Sequence, residues 1–243
     1  NEPILSDTEY DFLFKKLEEI EQKHPDWKVV NSPTDRVGLE ITENARQIEH
    51  LRPMLSLANS YNQQDLTAFD QQIKRMLKLD PNLDIEYSVE PKYDGGGISL
   101  VYQNNQLVRV VTRGDGSTGE EITSNGKSIK SIPLYVDFNK IGISTIELRG
   151  EAIISTKNFA IVNQERLQSD LPLFANARNA ATGGLRTKDP KDTESRKMDA
   201  FIYTVSYAAD AEGNDVLNKF MTQFETIDTI GRLGIKIPSQ ARK

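Results

Sequence analysis

The chain has 243 residues, with 30 Lys and Arg against 36 Asp and Glu for a formal charge of −6, a length that holds one large domain or two small ones. That balance argues against a general basic coat for nucleic acid while leaving room for a local one, and no apolar run approaches the roughly 18 residues needed to span a bilayer. Zero cysteines exclude disulfides and thiolate zinc sites, and two histidines, His24 and His50, are too few for a His-rich metal site or a Ser/His relay, so chemistry must rest on Lys, Arg, Asp, Glu and Tyr.

Ser6 to Lys23 predicts an amphipathic helix. Ser6 and Glu9 have capping-box spacing, Tyr10, Leu13, Phe14, Leu17 and Ile20 recur at helical intervals, and His24-Pro25 ends the run. Residues 26 to 53 carry Asn-Ser-Pro, Val-Gly and Arg-Pro, an irregular connection, and a boundary is placed near residue 45. A second helix is predicted over 63 to 79, with Leu66, Phe69, Ile73, Met76 and Leu77 on one face and Asp80-Pro81 after it. Strands follow at 85–90, 98–102 and 107–112, the last two joined by an Asn104-Asn105 turn, and again at 146–154 and 200–207. Helices are expected near 156–167 and 216–233, the latter closed by Gly234. Strands and helices in mixed order, without strict alternation, predict an α+β fold.

Four segments carry candidate chemistry. Glu90-Pro91-Lys92-Tyr93-Asp94-Gly95-Gly96-Gly97 reads either as an Asp-Gly turn with a solvated lysine or as a lysine nucleophile beside backbone that a ligand can approach. The second reading needs a free amine although the reference pKa is about 10.4, which desolvation or neighbouring cations would lower. The turn Thr112-Arg113-Gly114-Asp115-Gly116 is a polar hairpin exit or holds a guanidinium suited to bidentate phosphate contact. In Arg149-Gly150-Glu151 the alternation of a strand puts both charged side chains on one face, as a structural pair or with the carboxylate accepting from ribose hydroxyls. From Asn176 to Lys197 six basic residues against three acidic ones, a local 6 − 3 = +3, suit a phosphate-backbone contact or a solvated loop. Tyr10 reads as a core aromatic, and Asp7 and Asp11 as favourable charges at a helix start.

Together these segments resemble the N-terminal part of bacterial NAD-dependent DNA ligases, over nearly the whole chain. The resemblance is carried by Ser6-Asp7-Thr8-Glu9-Tyr10-Asp11, Asn31-Ser32-Pro33-Thr34-Asp35-Arg36-Val37-Gly38, Pro53-Met54-Leu55-Ser56-Leu57, Glu90-Pro91-Lys92-Tyr93-Asp94-Gly95, Thr112-Arg113-Gly114-Asp115-Gly116, Ile132-Pro133-Leu134, Leu148-Arg149-Gly150-Glu151-Ala152 and Asn176-Ala177-Arg178-Asn179-Ala180-Ala181. It implies a small helical module over 1–45 that recognises the nicotinamide mononucleotide half of NAD. A nucleotidyltransferase core over 46–243 would follow, of mainly antiparallel sheets with flanking helices. Lys92 would attack the α-phosphate of NAD to give lysyl-AMP, which then activates the 5′-phosphate of nicked duplex DNA with Mg²⁺ assistance. By the same resemblance Glu90 is an adenine-side contact, Arg113 a ribose and phosphate contact and Glu151 a ribose contact. Ser56 and Leu57 resemble a nucleotide-site segment, and Asp7, Thr8, Glu9, Tyr10 and Asp11 the nicotinamide-side helix, where an aromatic and carboxylates suit a flat cationic ring.

The chain departs from that pattern at Ala177, where Pro is usual, and at Gly184, where Ser is usual. An earlier Tyr-His pair and two later phosphate-site lysines find no match, which predicts an incomplete adenylation region. No protein metal site is expected within it. The expected protein is cytoplasmic, monomeric and free of membrane contact. The alternatives are a noncatalytic nucleotide-binding or DNA-contacting module derived from a ligase, and an ATP-using relative with the same Lys-x-Asp-Gly core, against which the 7–11 segment counts.

Overall fold

The computed structural model describes residues 7–29, 32–36 and 46–238. Helix α1 spans Asp7–Lys23 as the periodicity predicts, and a short 3₁₀ turn, Pro25–Trp27, follows it with His24 stacked on Trp27 at 4.3 Å. Ser6, the predicted cap, lies outside the described residues. The Ser32 and Thr34 hydroxyls donate to the Glu21 carboxylate and tie the 3₁₀ turn Pro33–Arg36 to α1. The predicted apolar stripe is not a buried one: Leu13 and Ile20 are exposed and Leu17 half-buried.

Strand β1, Gln47–Glu49, escapes sequence reading because three residues with a polar alternation carry no pattern. Helix α2 spans Gln63–Leu77, two residues shorter than predicted. Asn62 Oδ1 caps it by accepting from Asp65 N at 2.9 Å, and Lys78 ends it in the left-handed region at φ 55°. Its face of Leu66, Phe69, Met76 and Leu77 stays exposed. The strand expected at 85–90 does not form. The segment is extended with a bridge only at Val89, and its Tyr87 and Val89 are exposed, so no buried face fixes a register there.

The main sheet contains β2 (Gly96–Gln103), β3 (Gln106–Thr112), β5 (Thr145–Ile153) and β6 (Asp199–Ala209), in the order β3-β2-β5-β6 with every neighbour antiparallel. Asn104 and Asn105 make the predicted two-residue turn with φ of 48° and 72°, the positive values that match strand twist. Strand β4, Thr118–Glu120, pairs with β1 in a separate ribbon. One face of the sheet carries Ile98, Leu100, Tyr102, Val110, Ile146, Leu148 and Ile202 into the core. Above that face lie α3 (Thr123–Ser128), α5 (Ala177–Leu185) and α7 (Gln223–Arg232), the last two contributing Ala180, Ala181, Leu185, Ile227 and Ile230. The α+β prediction holds.

Two expectations are corrected. Helix α4 forms at Thr156–Gln168 as predicted, but the helix predicted over 216–233 is a 3₁₀ turn at Leu217–Lys219 and then α7. Thr222 restarts the chain by accepting the Glu225 N–H at its hydroxyl, at 3.1 Å. The basic stretch from Asn176 to Lys197 is no solvated loop but α5 and α6 (Pro190–Ser195), capped by Asn176 and Asp189. Asn125, on α3, ties down α6 and the link before it: its side-chain amide shares its two N–H groups among Thr187 O, Thr187 Oγ1 and, at 2.8 Å, Thr193 Oγ1.

Candidate active site

The core takes one face of the sheet, and the site uses the other. Gly97 pairs with Glu151, Glu151 with Phe201, and Arg113 N donates to Gly97 O at 2.9 Å. Arg113, Gly97, Glu151 and Phe201 therefore form one transverse row across the four strands, because residues opposite one another in register share a face. Gly97 leaves a trough in that row. A Cβ there would sit 3.2 Å from Arg113 Cβ and 3.7 Å from Glu151 Oε2, so the missing side chain leaves open the space between these two side chains.

The Lys92 segment crosses this row. Tyr93 stacks on Phe201 with ring centroids 4.4 Å apart, and the Lys236 ammonium lies 4.8 Å from the Phe201 centroid. Gly95 abuts β5 so closely that a Cβ would meet the Ala152 carbonyl oxygen at 2.1 Å, and its N–H donates to Glu151 Oε1 at 3.0 Å. Lys92 itself is exposed and lines a cavity of about 780 Å³ together with Ser56, Leu57, Glu90, Arg113 and Glu151. Burial raises the Glu151 pKa above the ordinary carboxylate value, against the lowering influence of the Gly95 N–H and of the Lys92 and Arg178 charges. Burial, and then the Glu151 charge, raises the Tyr203 phenol. Asp94 pairs with Arg178 at 3.2 Å, but both side chains are well exposed and the pair adds little.

Buried charges hold the wall that bears Ser56 and Leu57. Glu147, fully buried, accepts from Ser99 Oγ at 2.7 Å and lies 3.5 Å from Arg149 Nε. Arg149 in turn donates to the carbonyls of Arg52 and, at 2.8 Å, Pro53. Met54 N donates to Gly116 O at 2.7 Å, and His50 Nε2 lies 3.2 Å from Arg113 O. Arg149 and Glu151 share a face, as the alternation predicts. The structural pair of that region, however, is Arg149 with Glu147, and Glu151 is left to the Gly95 amide and the cavity.

The fold thus gathers Ser56, Leu57, Glu90, Lys92, Arg113 and Glu151 into one cavity. The side chains of Asp7, Thr8, Tyr10 and Asp11 lie outside the described residues, and Glu9 is exposed on α1 and does not line the cavity. Sequence reading missed Tyr203 and Gln223 on the cavity wall. Tyr203 lies in a predicted strand whose facing the pattern leaves open, and Gln223 carries no local signal at all.

Residues 42–243 match the family model of the NAD-dependent DNA ligase adenylation domain. The chain belongs to this family. Residues 1–38 match the DNA ligase-like, N-terminal NAD⁺-binding domain. The DNA ligase of Persephonella marina is 47% identical over 97% of this chain and 33% of its own length. That of a Sulfurihydrogenibium species is 47% identical over 100% of this chain and 34% of its own length. The Aquifex aeolicus DNA ligase is 43% identical, covering 96% of this chain and 31% of that protein. The chain spans about a third of the length of the curated relatives it matches. No helix among the described residues is long and apolar enough to cross a membrane.

Proposed function

We propose that this chain is the adenylate-accepting part of an NAD-dependent DNA ligase, with Lys92 as the nucleophile. The observation that carries the reading is the row beneath the Lys92 segment, where Arg113 and Glu151 flank the trough at Gly97. A dinucleotide seated there meets a cation suited to phosphate, a carboxylate suited to ribose hydroxyls and, at Glu90, an acceptor suited to an amino group on the base. The free amine of Lys92 attacks the α-phosphorus, an N–P bond forms and the nitrogen releases a proton to solvent. The P–O bond to nicotinamide mononucleotide breaks, and that group leaves with the bonding pair. The phosphoramidate then passes AMP to the 5′-phosphate of a nick in duplex DNA.

In this reading residues 1–45 form the module that takes the nicotinamide half through Asp7, Thr8, Glu9, Tyr10 and Asp11. Residues 46–243 form the nucleotidyltransferase domain, and the protein acts as a cytoplasmic monomer. The resemblance also implies Mg²⁺. Among the described residues no three Asp, Glu or His side chains converge as metal ligands would. These residues form no cage for the ion.

Lys92→Arg tests the assignment, because a guanidinium keeps the charge and is no nucleophile at neutral pH. After incubation of the full-length protein with NAD, intact-mass measurement should find the AMP adduct in the wild type and none in the variant, with both melting alike. An adduct in the variant would overturn the assignment.

A further inference from the structure

Gln223 is the first residue of α7, and its side-chain amide can be oriented only one way. Nε2 donates to Glu90 Oε1 at 2.8 Å and to the Tyr203 carbonyl oxygen at 2.7 Å. Both partners are pure acceptors, so turning the amide over would set oxygen against oxygen twice. Two consequences follow for the cavity wall. The Gln223 Oε1 atom receives no donor among the described residues. The second donor to Glu90, the Ser88 hydroxyl at 3.1 Å, also falls on Oε1, so Glu90 Oε2 receives none either. Both residues line the cavity that holds Lys92. The wall there presents a carboxylate oxygen and an amide oxygen on two side chains locked together by a hydrogen bond, and a ligand can satisfy them only with donors.

We propose that Gln223 is a specificity-determining residue of this site: it fixes the Glu90 carboxylate, and its own Oε1 joins Glu90 Oε2 in accepting the two N–H groups of the adenine 6-amino group. The inference rests on, and deepens, the reading of Glu90 as the adenine-side contact. A 6-oxo purine would set a third acceptor against the two wall oxygens and shift the donor of that edge to N1, which is how a site built for a donor at one position rejects an analogue that lacks it there. Without Gln223, Glu90 loses one of its two protein donors and the wall loses one of its two free acceptors. The discrimination should therefore weaken, while the reacting end of the dinucleotide at Lys92 is untouched.

The test compares kcat/KM for self-adenylation of the full-length protein with NAD and with nicotinamide hypoxanthine dinucleotide, which carries an oxygen in place of the 6-amino group and a proton on N1. The wild type should prefer NAD. In Gln223→Ala and Gln223→Met that preference should fall by about tenfold or more, the size expected for a hydrogen bond to a charged partner, with the change in KM for NAD and little change in kcat. The residue is exposed, so both variants should melt like the wild type. Equal losses with both dinucleotides, preference intact, would make Gln223 a purely structural start to α7 and overturn the proposal. A wild type indifferent to the 6-position would overturn it together with the Glu90 reading, whereas the AMP adduct on Lys92 in that same protein reports on the nucleophile separately.

Discussion

Arg149→Met removes the cation from the buried cluster behind Ser56 and Leu57. The Arg149 side chain is 11% exposed and that of Glu147 not at all, so the substitution strands a carboxylate in the interior. Glu147 retains the Ser99 hydroxyl at 2.7 Å and His50 Nδ1 at 3.8 Å, while its Oε2 already lacks a hydrogen-bond partner. Breaking a buried pair by deleting one member costs about 3–5 kcal/mol, and the surviving Ser99 bond puts this case near the low end, about 3 kcal/mol. For a domain of this size that is a fall of about 6–12 °C in Tm. Adding Glu147→Gln removes the stranded charge and should recover at least about half of the loss, since deleting both charges is far cheaper than deleting one. Urea unfolding of the wild type, the two single variants and the double variant closes the cycle. The reasoning fails if Arg149→Met costs less than about 0.5 kcal/mol, or if the double variant loses the sum of the two singles.

Gly95→Ala should leave the core intact yet lower adenylation by about 100-fold, because the new Cβ would lie 2.1 Å from the Ala152 carbonyl oxygen and displace the segment bearing Lys92; single-turnover labelling within about threefold of wild type would contradict the placement. Glu151→Gln should alter the pH dependence of stability. Burial raises the Glu151 pKa above the ordinary 4.5, so the folded state holds that proton more tightly than the unfolded chain. The associated stability is present below the ordinary value and is lost as pH rises through the elevated one. The variant should therefore gain on the wild type in urea midpoint between about pH 3.5 and about pH 7, and a constant difference would count against a buried carboxylate there.

What the sequence determined by itself was local or motif-borne. The Asn104-Asn105 turn was legible because two successive residues tolerant of positive φ have few other uses between β-prone runs, and α1 because a 3.6-residue period persists through five apolar positions. Lys92, Arg113 and Glu151 were legible through short motifs, and the shared face of Arg149 and Glu151 through simple alternation. Only the tertiary structure decided which charges meet. Alternation puts Glu147, Arg149 and Glu151 on one face, and the fold turns Arg149 to Glu147 and to the Arg52 and Pro53 carbonyls; the row Arg113–Gly97–Glu151–Phe201 follows from antiparallel register between strands far apart in the chain. Exposed Val89 shows the other side of the same physics: a β-prone run with no partner to bury its face does not become a strand. Gln223 reaches Glu90 across 133 positions of sequence, a separation over which no periodicity, cap or motif carries information, and only the packing of α7 beside β6 brings the two together.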